Sequence, residues 1–161
     1  MAIAQVQPPS PSGSFDYLLP RSIWFQGALM TIHVDGADTM GDFALVEISG
    51  APGNEPPRHV HEDEDELFFI LEGQLTVFRG KEQLAVEAGH AVLLPRGIPH
   101  TFKIQSESAR WLNFISPAGF EEFFRELGQP AGKLSPPTSQ PPLDVARLVQ
   151  VAHRFGVTFL P

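Results

Sequence analysis

Residues 53–73 read GNEPPRHVHEDEDELFFILEG, and the spacing of a few side chains in this stretch decides how the rest of the chain is read. His59 and His61 stand one residue apart, Glu66 follows, and an apolar run from Leu67 to Leu71 leads to Gly73. Side chains at i and i+2 of a strand project from one face, so both imidazoles can address one point. A turn through the acidic residues 62–65 would return the chain as an adjacent strand with Glu66 near its start. Two nitrogens and a carboxylate oxygen would then converge, which are donor types that hold a transition metal.

A second stretch, residues 89–104, reads GHAVLLPRGIPHTFKI. Pro95, Gly97 and Pro99 define a tight loop that would hold His100 in one orientation at the start of another strand. Four convergent donors need a cation or a dense hydrogen-bond network to offset their burial. The expected metal ligands are therefore His59, His61, Glu66 and His100.

With both stretches in view, the chain resembles the cupin superfamily. Gly53, His59, His61, Glu66 and Gly73 occupy every position of that family's first motif, and Gly89, Pro95, Gly97 and His100 match the second. Ile104 stands where the second motif ends in asparagine, a departure that removes a polar group near the pocket but no ligand. The resemblance implies an all-β fold, a jelly-roll-like antiparallel β-barrel, here single because only one motif pair is present. It also implies one divalent transition metal ion, with Fe, Mn, Co, Ni, Cu and Zn all compatible with the donor set.

Composition narrows the classes of function. The chain of 161 residues suits one domain with a sizeable core, and 42% hydrophobic content with 13 phenylalanines argues against disorder. Cysteine is absent, so the metal must be held by nitrogen and oxygen. A net charge of −8 disfavours nucleic acid as a partner. No stretch approaches the roughly 18 apolar residues of a membrane span, and the first residues lack a signal-peptide pattern. A cytoplasmic protein is expected.

Along the chain, residues 1–14 are rich in Pro, Ser and Gly and read as a flexible arm. Residues 15–116 carry the barrel: Ala28–Val34 alternate with period two, Asp35-Gly36 signals a turn, and 74–79 with 84–86 form a hairpin. The period then changes. Ser116 reads as an N-cap with Pro117 at the first helical position, and Phe120, Phe123, Phe124 and Leu127 line one face of a helix over 117–127. A Pro-rich linker, 129–142, leads to a second short helix capped by Asp144 and ending near Arg154. The tail 155–161 reads as a possible strand. A homodimer through the apolar N-terminal strands is the expected assembly.

Strand parity also assigns a pocket. Phe68 and Ile70 share the inward face with Glu66, as Phe102 and Ile104 do with His100, so the lining is apolar and carries no Lys or Arg from these strands. That favours a neutral aromatic ligand, with the facing of Arg110, Trp24 and Trp111 left open. Trp24-Phe25-x-Gly27 before the barrel and Ser116-Pro117-Ala118-Gly119-Phe120-Glu121 after it are similar to the single-barrel cupins called quercetin dioxygenase-like. That resemblance implies dioxygen-dependent ring cleavage of a flavonol or related enolisable aromatic compound. Glu66 would then double as the base, with the three histidines as ligands only. A metal-dependent isomerase or lyase, or a small-ligand-binding protein without catalysis, stands as the alternative.

Overall fold

The computed structural model describes residues 15–53, 55–139 and 142–161; the arm over residues 1–14 lies outside them. After a 3₁₀ segment, Phe15–Arg21, come β1 (Ser22–Phe25), β2 (Ala28–Val34), α1 (Gly36–Thr39) and β3 (Ala44–Gly50). The middle of the chain supplies β4 (His59–His61), β5 (Asp65–Glu72), β6 (Gln74–Arg79), β7 (Glu82–Glu87) and β8 (Ala91–Leu94). Then follow β9 (His100–Ile104), β10 (Ala109–Ser116), α2 (Glu121–Leu127), β11 (Gln129–Pro130), α3 (Val145–Arg154) and β12 (Val157–Phe159).

The strands form two sheets. One runs β11-β1-β2-β3-β10-β5-β8 and the other β12-β4-β9-β6-β7, every pair antiparallel. No hydrogen-bonded ladder joins the two among the described residues, so in place of the expected closed barrel there are two facing sheets. Period-two sequence is what makes this possible. Ala44, Val46 and Ile48 of β3 and Ala109, Trp111 and Ile115 of β10 turn inward, while Glu47, Ser49, Arg110 and Phe114 face out. Ile32, Ile70 and Val77 are fully enclosed in the core, each contributing about 1.5–3 kcal/mol of burial.

Several local expectations change. The turn at Asp35-Gly36 is one turn of helix, because Asp35 accepts from the amides of Ala37 and Asp38 while the Asp38 carboxylate caps Asp35 in return. The first C-terminal helix begins at Glu121, not Pro117. Ser116 still belongs to β10, opposite Asp65, and residues 117–120 carry the chain across the end of the sheets. Glu121, 1% exposed, fixes that crossing by accepting from the amides of Gly36 and Gly119 at 2.8 and 2.6 Å.

The Pro-rich segment is laid along β1. Gln129 and Pro130 pair with Trp24 and Ile23, and the Trp24 indole donates to the Ser135 carbonyl at 2.8 Å. The N-terminal strands expected to form a dimer surface bury most of their apolar side chains, and β1 is paired along both edges, by β11 and β2. The exposed apolar residues of this sheet are instead Phe69, Leu93 and Phe114, on the outward faces of β5, β8 and β10. Among the described residues, no helix is long and apolar enough to cross a membrane.

Candidate metal centre

Each donor reaches the centre for a local reason. β4 buries its first and third residues, so His59 and His61 face inward and Val60 does not. β9 runs antiparallel beside it with His100 directly opposite His59. Glu66 arrives differently from the expectation of an adjacent strand. Residues 62–64 cross from the smaller sheet to the larger, and Glu66, in β5 between Ile115 and Leu94, points back across the interior. The four buried side chains offer ligand atoms within 4.8 Å of one another. A cluster held by both sheets can form only when the sheets have closed on each other.

The imidazoles are oriented from behind. His59 Nδ1 donates to the Pro57 carbonyl at 2.8 Å and His100 Nδ1 to the Ile98 carbonyl at 3.0 Å. His61 Nδ1 lies 3.4 Å from Glu64 Oε2. With every Nδ1 engaged, the Nε2 atoms of His61 and His100 turn toward Glu66, at 3.3 and 3.2 Å, and bonds of this kind fix ring orientation in metal sites. His61 Nε2 sits 3.3 Å from Glu66 Oε2 without hydrogen-bond geometry and has no partner, although it is fully buried. An orphaned ring nitrogen beside a buried carboxylate fits a site that accepts a cation.

Two members of this arrangement escaped the sequence reading. In the sequence Glu64 is one of four acidic residues in the turn over 62–65. Glu62 and Asp63 are indeed exposed and Asp65 pairs with Arg96 at 3.0 Å, but Glu64 is buried against His61. Its signal was its place three residues after a histidine, hidden within a run of acids. Asn113, on β10, donates from Nδ2 to Glu66 Oε1 at 2.6 Å. It restores a polar partner near the pocket even though Ile104 replaces the motif's asparagine, and nothing local in the sequence marks it.

Electrostatics set the protonation states. Burial pushes the His59 imidazole down to about 4, helped by His100 and His61 nearby. Burial alone would lower His61 too, but Glu66 and Glu64 outweigh it and raise its pKa. For Glu66 burial would raise the carboxyl. The His61 and His100 imidazoles and the hydrogen bonds from His100 and Asn113 hold it well below the usual carboxylate range. At neutral pH the site therefore presents an anionic carboxylate and a neutral His59, the forms that bind a cation, while His61, with its raised pKa, gives up its proton as a cation binds.

A cavity of about 110 Å³ opens from this cluster. Phe68, Phe102 and Ile104 line it, whereas Ile70 is packed in the core outside the lining. Trp111 also faces the cavity. Arg110 does not, since its guanidinium is engaged by Glu47 and Glu72 at 3.1 and 2.6 Å on the outer face of the sheet. Among the described residues, no lysine or arginine lines the cavity. The cluster is covered by the C-terminal segment, with the Phe120 ring edge-on to His61 at 4.5 Å and Phe159 at 6.0 Å from His59. Water is thereby kept from one side of the site.

Comparison with known proteins gives a consistent result. Residues 46–115 match the family described as Cupin domain. The chain is 31% identical over 93 residues to quercetin 2,3-dioxygenase of Bacillus subtilis (strain 168), covering 58% of this chain and 28% of that protein. To quercetin 2,3-dioxygenase of Aspergillus japonicus it is 30% identical over 121 residues, covering 70% of this chain and 34% of the other. The chain thus spans about a third of the length of these curated relatives. Among solved structures, KdgF from Halomonas sp. shares the fold with a TM-score of 0.54 at 19% identity, over 60% of this chain and 84% of that one.

Proposed function

This chain carries a cupin domain over residues 46–115, and on that premise we propose that it is a metal-dependent dioxygenase acting on a flavonol-like or related enolisable aromatic compound. The observation that carries the reading is the buried His59–His61–Glu66–His100 cluster opening on a cavity without a cationic side chain. Similarity to two quercetin dioxygenases supports the choice of reaction. A divalent transition ion held by the four side chains would supply a Lewis acid for the substrate's hydroxyl and an open position for exchange. Dioxygen is the oxidant, and both of its atoms end in the cleaved product.

The chain's own residues supply position, charge and dryness. Glu66, kept ionised by its histidine neighbours and oriented by Asn113, takes the hydroxyl proton. Phe120 and Phe159 exclude water on the covered side, and the aromatic lining holds the ring near the ligands. Glu64 acts through His61 as a positioning residue. Replacing Glu64 with Gln is expected to weaken metal affinity about 10–100-fold, measured by competition with a chromogenic chelator. Unchanged affinity would reduce Glu64 to a packing role.

The deciding experiment is oxygen uptake by protein reconstituted separately with Fe, Mn, Co, Ni and Cu, given a flavonol, with His100→Ala as control. Uptake should depend on the ion and vanish in the variant. Silence with every ion, in protein shown to hold metal, overturns the dioxygenase reading and leaves a non-redox lyase or isomerase, recognisable by turnover without oxygen. The assembly proposed with this activity is a homodimer. Light scattering that returns a monomer at micromolar concentration removes that part.

A further inference from the structure

We propose that a second, outer cavity beside the Pro-rich segment is a ligand subsite, taking the aromatic part attached to the ring whose hydroxyl lies at the metal cluster, with Gln26 as the specificity-determining residue between the two. The inference rests on the ligand class proposed above and adds where the rest of that ligand sits. The inner cavity of about 110 Å³ is smaller than the roughly 150 Å³ cavity that holds benzene, so it cannot enclose a ligand of two or more rings. A cavity of about 700 Å³ adjoins it, and Phe25, Gln26, Glu55 and Pro57 border both.

The border is firmly built. Glu55 Oε1 accepts from the Ile104 amide at 3.0 Å and Oε2 from the Gly53 amide at 2.9 Å, which ties the approach to β4 onto β9. On the other side, the Trp24 indole donates to the Ser135 carbonyl at 2.8 Å, and a Cβ added to Gly132 would stand 3.2 Å from the same ring. The Pro-rich segment is thereby held as a wall. The flat apolar surfaces of Trp24, Leu127, Pro137 and Leu143 line the outer cavity, and surfaces of this kind suit an aromatic ring.

Gln26 carries the second observation. It stands in the turn between β1 and β2 with φ +48°, followed by Gly27 at +76°. Asparagine or glycine forms such a turn more readily, and left-handed backbone strains a longer side chain. Strain of this kind clusters at ligand-binding positions. What it provides here is a long, half-buried side chain where the two cavities meet.

The competing account is a solvent-filled gap where the Pro-rich segment bridges to α3. The two accounts separate in zinc-loaded protein without oxygen, where calorimetry reads affinity for maltol, a single hydroxypyranone ring, and for 3-hydroxyflavone, which offers the metal the same hydroxyl and carbonyl on a larger frame. Wild type should bind 3-hydroxyflavone about 10–100-fold more tightly. Leu143→Trp fills the outer cavity from a position 47% exposed and should bring 3-hydroxyflavone down to the affinity of maltol. Gln26→Gly should cut the preference about 3–10-fold, while the melting temperature of the free protein stays level or rises.

Equal affinities in wild type, or a preference that survives Leu143→Trp, overturn the subsite. A preference that survives Gln26→Gly removes that residue from it. Wild-type protein that binds neither probe overturns the ligand class and the subsite together. Binding as expected, with no oxygen uptake under any metal, sinks the dioxygenase reading alone and leaves the subsite standing.

Discussion

Replacing Glu66 with glutamine is expected to lower turnover by about 100- to 10,000-fold while the protein keeps a substantial share of its metal. Glutamine preserves the length and one oxygen acceptor, so it can still receive the Asn113 amide that now reaches Glu66 Oε1 at 2.6 Å. What it loses is the negative charge and with it the ability to take a proton. The wild-type carboxylate has both, because His61 and His100 hold it ionised against the cost of burial. Metal content and oxygen uptake measured on the same samples separate the roles. Turnover that survives in full refutes the base. Loss of metal and turnover together marks Glu66 as a ligand whose charge the ion requires.

The largest expected effect on stability comes from a glycine. Gly73→Ala should cost about 2–5 kcal/mol, a large part of the 5–15 kcal/mol that holds an ordinary domain together. Gly73 has φ +79°, and a Cβ there would lie 2.4 Å from the Ser108 carbonyl oxygen, 2.6 Å from Ser106 Oγ and 2.9 Å from Ala109 Cα. Two of those atoms are backbone in the turn that starts β10, which cannot move without disturbing Trp111 and Asn113. Gly89 shares the positive φ but has nothing within 4 Å of an added Cβ, so alanine there meets only the backbone strain of about 1–2 kcal/mol. Urea midpoints of the two variants give the comparison. Equal losses would mean that the Ser106–Ala109 turn yields, and that the first motif's glycine is kept for its φ alone.

What could be read from residue order followed the reach of each rule. Strand parity is local, and it placed His59 and His61 on one face and marked β2 as a strand, although Leu29, Met30, Thr31 and Ile32 are all buried there without alternation. Capping chemistry is local as well, and Asp144 caps α3 by accepting from Arg147. The expectation at Ser116 failed because the same Ser-Pro signal also suits a strand that ends and turns. Here the pairing of Ser116 with Asp65 prevailed. The sheet to which Glu66 belongs was not legible, since a short acidic connection allows either a hairpin or a crossing. Asn113 was beyond reach for a simpler reason. It meets Glu66 from a distant strand, and only the β5–β10 pairing brings them together.

The histidine strand has β9 on one side and β12 on the other, with His61 opposite Val157 and His59 opposite Phe159. During synthesis this pairing has a schedule. At about 5–20 residues per second, Val157 is made some seconds after His61, when every other strand of both sheets already exists. Through that interval the outer edge of β4 presents unpaired amides and carbonyls, the kind of edge that recruits strands from other chains. A nascent chain that stalls between α3 and β12 would carry all four metal-binding side chains on a sheet still open at the edge beside them. Pairing of Val157–Phe159 therefore separates a chain that merely contains the four side chains from one whose histidine strand is held on both sides.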